Sequence, residues 1–187
     1  MIQKTEKKLY VWLLFFYSAP SKPVSKRIKI WRRLIKAGAL PFKGAAYILP
    51  YSEEHYEFCQ WLVSEVNAAG GEAAFVSAEN IETIKDKKII DLFSKQREKD
   101  YHNIEKKSET VSIKIQSIKK GGSQSPIKKT IELLNKLLKE FESIKKIDFF
   151  LSKTGEALEK KLNAMRTELS GMDTSYAHIK SHAITIR

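Results

Sequence analysis

An α+β protein, in which a ferredoxin-like βαββαβ domain is followed by a long-helix extension, is the fold class that this sequence of 187 residues predicts. Three observations carry that expectation. A continuous apolar and aromatic run near the N-terminus suits a buried strand, two helical patterns alternate with short extended segments up to Ser77, and long helical periodicity takes over beyond it. A hydrophobic fraction of 42% and a charged fraction of 30% describe a globular chain with a well-solvated surface. The length suits a small domain with a helical extension and is too short for two large domains.

Leu9 to Tyr17, LYVWLLFFY, reads as a central strand buried on both faces, ending before Ser18-Ala19-Pro20. Ser21 to Ala37 follows as a helix whose buried stripe is expected at Val24, Ile28, Trp31 and Ile35, with Gly38 as its stop. Ala39 to Phe42 and Ala45 to Leu49 read as paired strands around a tight Lys43-Gly44 turn. Ser52 is placed to cap a second helix, with Glu53 and Glu54 in its first turn and Phe58, Leu62, Val66 and Ala69 inward. Gly70-Gly71 ends it, and Glu72 to Ser77 is the fourth strand. A first strand apolar on both sides needs cover on the face the two helices leave open, from the rest of the chain or from a second subunit.

Residues 1–78 therefore form the predicted domain and 79–169 the helical extension, with a linker at 121–126 and a tail at 170–187. Ile84 to Lys120 contains no Pro or Gly. Its Ile90, Phe93, Tyr101, Ile104, Val111, Ile115 and Ile118 fall near a seven-residue repeat that Arg97 and Ser108 interrupt. Ser125-Pro126 suits the start of another helix with a stripe of Ile131, Leu134, Leu138 and Phe141. A last helix from about Gly155 to Leu169 places Leu158, Leu162, Met165 and Leu169 in register.

Cys59 is the single cysteine, so no intrachain disulfide and no cysteine-based zinc site can form, which fits a reducing cytoplasm. Beside Phe58 and Trp61 it reads as a small core hydrophobe. The run Leu9 to Tyr17 lacks the length of a membrane span and the cleavage site of a signal peptide, so a cytoplasmic protein without membrane contact is expected.

The net charge of +12 is uneven. Between Lys7 and Ser52 there are ten basic residues and no acid, whereas from Glu53 to the end 23 basic residues meet 21 acidic ones. Such asymmetry points to a polyanion partner. Within the first helix Lys22, Lys26, Lys29, Arg33 and Lys36 repeat at spacings of four, three, four and three, offset by two residues from the apolar stripe. Two residues are about 200° of helix turn, so the basic row is expected opposite the buried one, as a ridge able to follow a phosphate backbone. Of Trp12, Trp31, Phe42 and Tyr47, which have the π-faces to stack on bases, core packing is the expected role.

Catalysis finds little support. The chain has no phosphate-binding loop, dinucleotide fingerprint or nucleophile elbow, and no cofactor or metal is called for. His178 and His182 have the spacing of two ligands on a helix but no nearby acid or third ligand. His55 and His102 read as surface or capping groups.

In Trp12-Leu13-Leu14, Arg27 to Ala39 (RIKIWRRLIKAGA), Gly44 to Pro50 (GAAYILP) and Gly70-Gly71-Glu72-Ala73, the chain resembles the N-terminal domain family of ChrB, the chromate-resistance regulator of bacteria. The resemblance continues through Asp91-Leu92-Phe93, Arg97 with Asp100-Tyr101, and Ile147 to Phe150, covering roughly Tyr10 to Met165. It implies transcriptional control by DNA binding, and the sequence's own charge places the contact at Lys22, Lys26, Arg27, Lys29, Arg32, Arg33, Lys36 and Lys43. Full-length proteins of that family carry a further chromate-responsive domain, which this sequence does not include.

The chain is also similar to the small ferredoxin-like nucleases of CRISPR adaptation and to the related domain of PaaX-type repressors, which dimerise. Those nucleases keep a metal-binding Asp at the end of the first strand, where this chain has Ser18-Ala19-Pro20, a departure that disfavours nuclease activity. Three readings follow: a DNA-binding regulator or accessory protein; an interaction protein built on the helical extension, whose function survives charge reversal at Lys29 and Arg33; and, last, a metal-dependent nuclease. A homodimer is expected if the extension leaves the open sheet face uncovered.

Overall fold

The computed structural model describes residues 10–19, 23–44, 46–120 and 125–172. It contains a four-stranded antiparallel sheet and five helices, in the order β1 (Trp12–Ser18), α1 (Val24–Lys36), β2 (Leu40–Phe42), β3 (Ala46–Pro50), α2 (Glu53–Ala68), β4 (Glu72–Ala78), α3 (Asp86–Lys119), α4 (Ser125–Lys145) and α5 (Lys153–Met172). Two compact units divide within α3, Met1–Phe93 and Ser94–Arg187.

In the first unit the strands lie in the order β2-β3-β1-β4, which puts the apolar β1 between two neighbours. Its register sets Leu13 opposite Leu49 and Ser77, and Phe15 opposite Tyr47 and Phe75. Period-two alternation places Leu13, Phe15 and Tyr17 on one face and Trp12, Leu14 and Phe16 on the other. α2 meets the first of these faces through Tyr56, whose ring stands edge-on to Phe75 at 5.2 Å.

The opposite face is closed at its Trp12 end by the first turns of α3. The Trp12 indole is fully buried, stacks on Phe93 at 6.0 Å and donates from Nε1 to Asp86 Oδ1 at 2.9 Å. At the other end of that face Phe16 and Val76 remain 42% and 48% exposed. The expected double cover of β1 is thus met around Trp12 from within the same unit.

Local chemistry sets the boundaries. Pro23 occupies the N-cap of α1, where a missing N–H costs nothing, and Gly38 at φ 83° ends the helix. Ser52 caps α2 as expected, its Oγ accepting from His55 N at 3.1 Å. His55 Nδ1 lies 2.7 Å from Pro50 O and donates to it, because a carbonyl can only accept. Cys59 is buried, and desolvation pushes its thiol up to about 11.

In the second unit α3, α4 and α5 close around one core that includes Tyr101, Ile104, Val111, Ile131, Leu134, Phe141, Leu158, Leu162, Met165 and Leu169. Arg97 and Ser108, which interrupt the heptad pattern in the sequence, are themselves buried, so they are polar members of the inward stripe. In α4 the inward position is taken by Leu137, and Leu138 packs at the edge. The linker residues 121–124 and the tail from residue 173, with His178 and His182, lie outside the described residues, although α5 carries the helix to Met172.

Candidate nucleic-acid interface

α1 seats differently from what its apolar periodicity predicts. Its buried residues are Ile30 and Leu34, while Val24, Ile28 and Trp31 are 48%, 38% and 45% exposed, and Ile35 is half-buried. At about 100° per residue, Ile30 and Leu34 lie roughly midway between the apolar stripe and the basic row, each some 100° away. The 200° offset between stripe and row is therefore kept, but neither faces straight in. The helix turns its basic row to one flank and leaves the apolar stripe on the other, in solvent.

On its flank the basic row meets α2. Lys29 Nζ and Arg33 Nε each lie 2.9 Å from the carboxylate of Glu65, Arg33 Cζ stands 4.1 Å over the Trp61 ring, and Lys26 Nζ donates to Ala69 O at 3.2 Å. The last of these places a cation on a carbonyl at the C-terminal end of α2, where the helix dipole favours positive charge. The Arg33–Glu65 contact lacks hydrogen-bond alignment, and Glu65 Oε2 is buried without a hydrogen-bond partner. Three members of the expected free ridge thus serve the packing of α1 on α2. Lys22 lies outside the described residues.

Arg27, Arg32, Lys36 and Lys43 are exposed, and none has an acidic partner among the described residues. Arg32 and Lys36, with Ser25, Ile28, Lys29 and Arg33, line an open depression of about 360 Å³ on the outer side of α1. Lys43 stands in the β2–β3 turn, at φ 34° beside Gly44 at φ 73°. Of the four aromatic stacking candidates Trp12 and Phe42 are buried, Tyr47 is half-buried, and Trp31 alone is exposed, one helical turn from Arg27. This surface can neutralise phosphates and offer an indole face.

Sequence reasoning missed Glu65 and Trp61 as the groups that hold the row. A signal was present, since Glu53 to Phe93 carries nine acidic and three basic residues. The near-balance from Glu53 onward conceals that acid excess and an opposite one: Ser94 to Arg187 carries twenty basic and twelve acidic residues.

The second unit holds a buried polar group of its own. Tyr101 Oη donates to Asp148 Oδ2 at 3.0 Å, Ser152 N donates to the same oxygen at 2.9 Å, and burial beside that carboxylate raises the Tyr101 phenol. Arg97 Nη2 lies 3.0 Å from Asp100 Oδ2, while its Nε and Nη1 are buried without hydrogen bonds. The cavity of about 50 Å³ beside Tyr101, Asp148 and Ser152 is of water size. His102 is exposed, 3.6 Å from Glu105.

Among the described residues no three His, Cys, Asp or Glu side chains gather as a metal site, and no helix is long and apolar enough to cross a membrane. The family model described as Protein ChrB, N-terminal, matches residues 27–180, well over half of the chain. The match takes in α1 from Arg27 onward and the helices of the second unit; it passes Met165 at its C-terminal end and leaves out the Trp12-Leu13-Leu14 motif of β1. No curated protein and no solved structure matches the chain.

Proposed function

The chain belongs to the ChrB N-terminal family, and we propose on that premise that it is a non-catalytic, cytoplasmic DNA-binding regulator or accessory protein of chromate or oxyanion resistance. The observation that carries the reading is the set of acid-free cations of α1, Arg32 and Lys36 on its outer side and Arg27 exposed near its N-terminal end, one turn from the exposed Trp31. Phosphate contacts are assigned to these three and to Lys43. Lys26, Lys29 and Arg33 are assigned to holding α1 against α2. The β-α-β-β-α-β element order with strands β2-β3-β1-β4 supports a ferredoxin-like reading of the first unit. The half-exposed Phe16 and Val76 support a homodimer, which light scattering tests.

Fluorescence anisotropy of the full chain with a labelled duplex, between 50 and 200 mM salt, tests the DNA contact. Each neutralised phosphate contributes about −0.9 to the slope of log affinity against log salt, so R27Q/R32Q/K36Q should flatten the slope by about 2 to 3. An unchanged slope would overturn the assignment. Charge reversal at Lys29 and Arg33 is a poor discriminator from the interaction-protein reading, because it also breaks the Glu65 pairs. Reversal at Arg32 and Lys36 separates the two cleanly. Degradation of nucleic acid by pure protein with Mg²⁺ would return the nuclease reading.

A further inference from the structure

The second unit carries the larger share of the chain's positive charge: twenty basic against twelve acidic residues from Ser94 onward, compared with fourteen against ten in Met1–Phe93. Much of that charge is used in packing. Lys107 pairs with Glu140, Lys119 with Glu168, Lys145 with Glu159 and Lys161 with Glu105, contacts that tie the helices of this unit to one another. The lysines of the outer side of α4 are different. Lys128, Lys129, Lys136 and Lys139 are all exposed, and no acidic group lies within ion-pair distance of any of them among the described residues.

Their placement on the helix is definite. The inward side of α4 is fixed by Ile127, Thr130, Ile131, Leu134, Leu137 and Phe141, all buried. At about 100° per residue the four lysines cluster on the side opposite Leu134, with Glu132 among them and Glu140, which pairs with Lys107, at the edge of the face. This is the arrangement that α1 was expected to show and does not: a cationic face directly opposed to the core, unneutralised by a neighbouring element. From Lys128 to Lys139 it extends about 16 Å along the helix, a length over which a duplex presents a phosphate charge roughly every 1.7 Å.

We propose that this outer face of α4 is a second polyanion-binding surface, and that its partner is the phosphate backbone of nucleic acid. The inference rests on the nucleic-acid reading of the chain and adds a contact surface on the second unit. An anionic lipid surface fits less well, because a membrane-surface helix needs apolar side chains to insert beside its cations. Among the described side chains of α4 the only large apolar one in solvent is Leu133, at 41% exposure on the shoulder of the helix.

The experiment compares the full chain with K128Q/K129Q/K136Q/K139Q and with R27Q/R32Q/K36Q, in duplex binding over 50 to 200 mM salt. All four lysine side chains are in solvent, so helix content by circular dichroism should match the parent. The α4 variant should flatten the salt slope by about 3 to 4, whatever the α1 variant does. An α4 variant with the parent slope overturns the inference and leaves the α1 assignment standing. Loss in the α4 variant alone supports the inference and removes α1 as the contact. No binding of the parent at 50 mM salt overturns both. Lys128-to-Lys139-dependent binding of phosphatidylserine vesicles, with duplex binding unaffected, overturns the choice of partner.

Discussion

Glu65 is the residue on which the charge of α1 turns. One carboxylate, 18% exposed, holds both Lys29 and Arg33, and Trp61 one turn earlier takes the flat side of the Arg33 guanidinium. Replacing it by Gln should release two cations toward solvent. E65Q is therefore expected to bind duplex more tightly than the parent at 50 mM salt and to steepen the salt slope by about 1 to 2. The cost in stability should be about 1 to 2 kcal/mol, since the Lys29 pair is largely in solvent and contributes little, whereas the Arg33 pair and the Glu65 carboxylate are partly buried. Anisotropy and a urea midpoint measure the two effects together. Weaker binding by E65Q would mean that the basic flank of α1 does not face phosphates.

At the scale of elements, the sequence located the helices and strands to within a few residues but not the seating of α1. Periodicity gives the angle between two rows on a helix and not which direction points inward. In α1 the inward direction falls between the rows, where two residues, Ile30 and Leu34, are the whole buried set. α5 was legible because its Leu158, Leu162, Met165 and Leu169 are the only large apolar row it has, and all four are buried. α3 was legible in period but not in content: a buried Arg97 and Ser108 read as breaks, because burial of a charge depends on a partner such as Asp100 that spacing alone does not identify.

The second unit contains a close approach that periodicity does not reveal. A Cβ on Gly155 would lie 2.8 Å from Tyr101 Cε2 and Cζ, and that ring is held by Asp148 and packs on Phe141. G155A should destabilise by about 1 to 3 kcal/mol, despite the better helix propensity of Ala. Gly171, in the same helix with nothing within 4 Å of its would-be Cβ, is the control, and G171A should be neutral or slightly stabilising. Equal urea midpoints for the two variants would show that the Tyr101 ring yields.

For the molecule as a whole, the titrations that favour the fold all point the same way. Tyr17 is raised chiefly by burial, Cys59 is pushed up to about 11 by burial, and Tyr101 is raised by burial and by the Asp148 carboxylate. Each group holds its proton more firmly folded than unfolded. Its contribution is therefore complete below the unfolded values, about 8.5 for Cys and 10 for Tyr, and is lost as pH rises through the folded ones. Stability should be level from pH 7 to about 8.5 and decline above pH 9. Tyr17 and Cys59 act in the first unit and Tyr101 in the second, so both should weaken, the first unit from a lower pH. Y101F separates them: it loses the buried hydrogen bond to the Asp148 carboxylate, costing about 1.5 to 3 kcal/mol at pH 7, and removes one titrating group, so its midpoint should fall less steeply above pH 9 than the parent's. Urea midpoints at pH 7, 9 and 10.5 decide the matter. A Y101F decline parallel to the parent would show that the Tyr101 proton does not couple to folding, and would leave Tyr17 and Cys59 as the source of alkaline sensitivity.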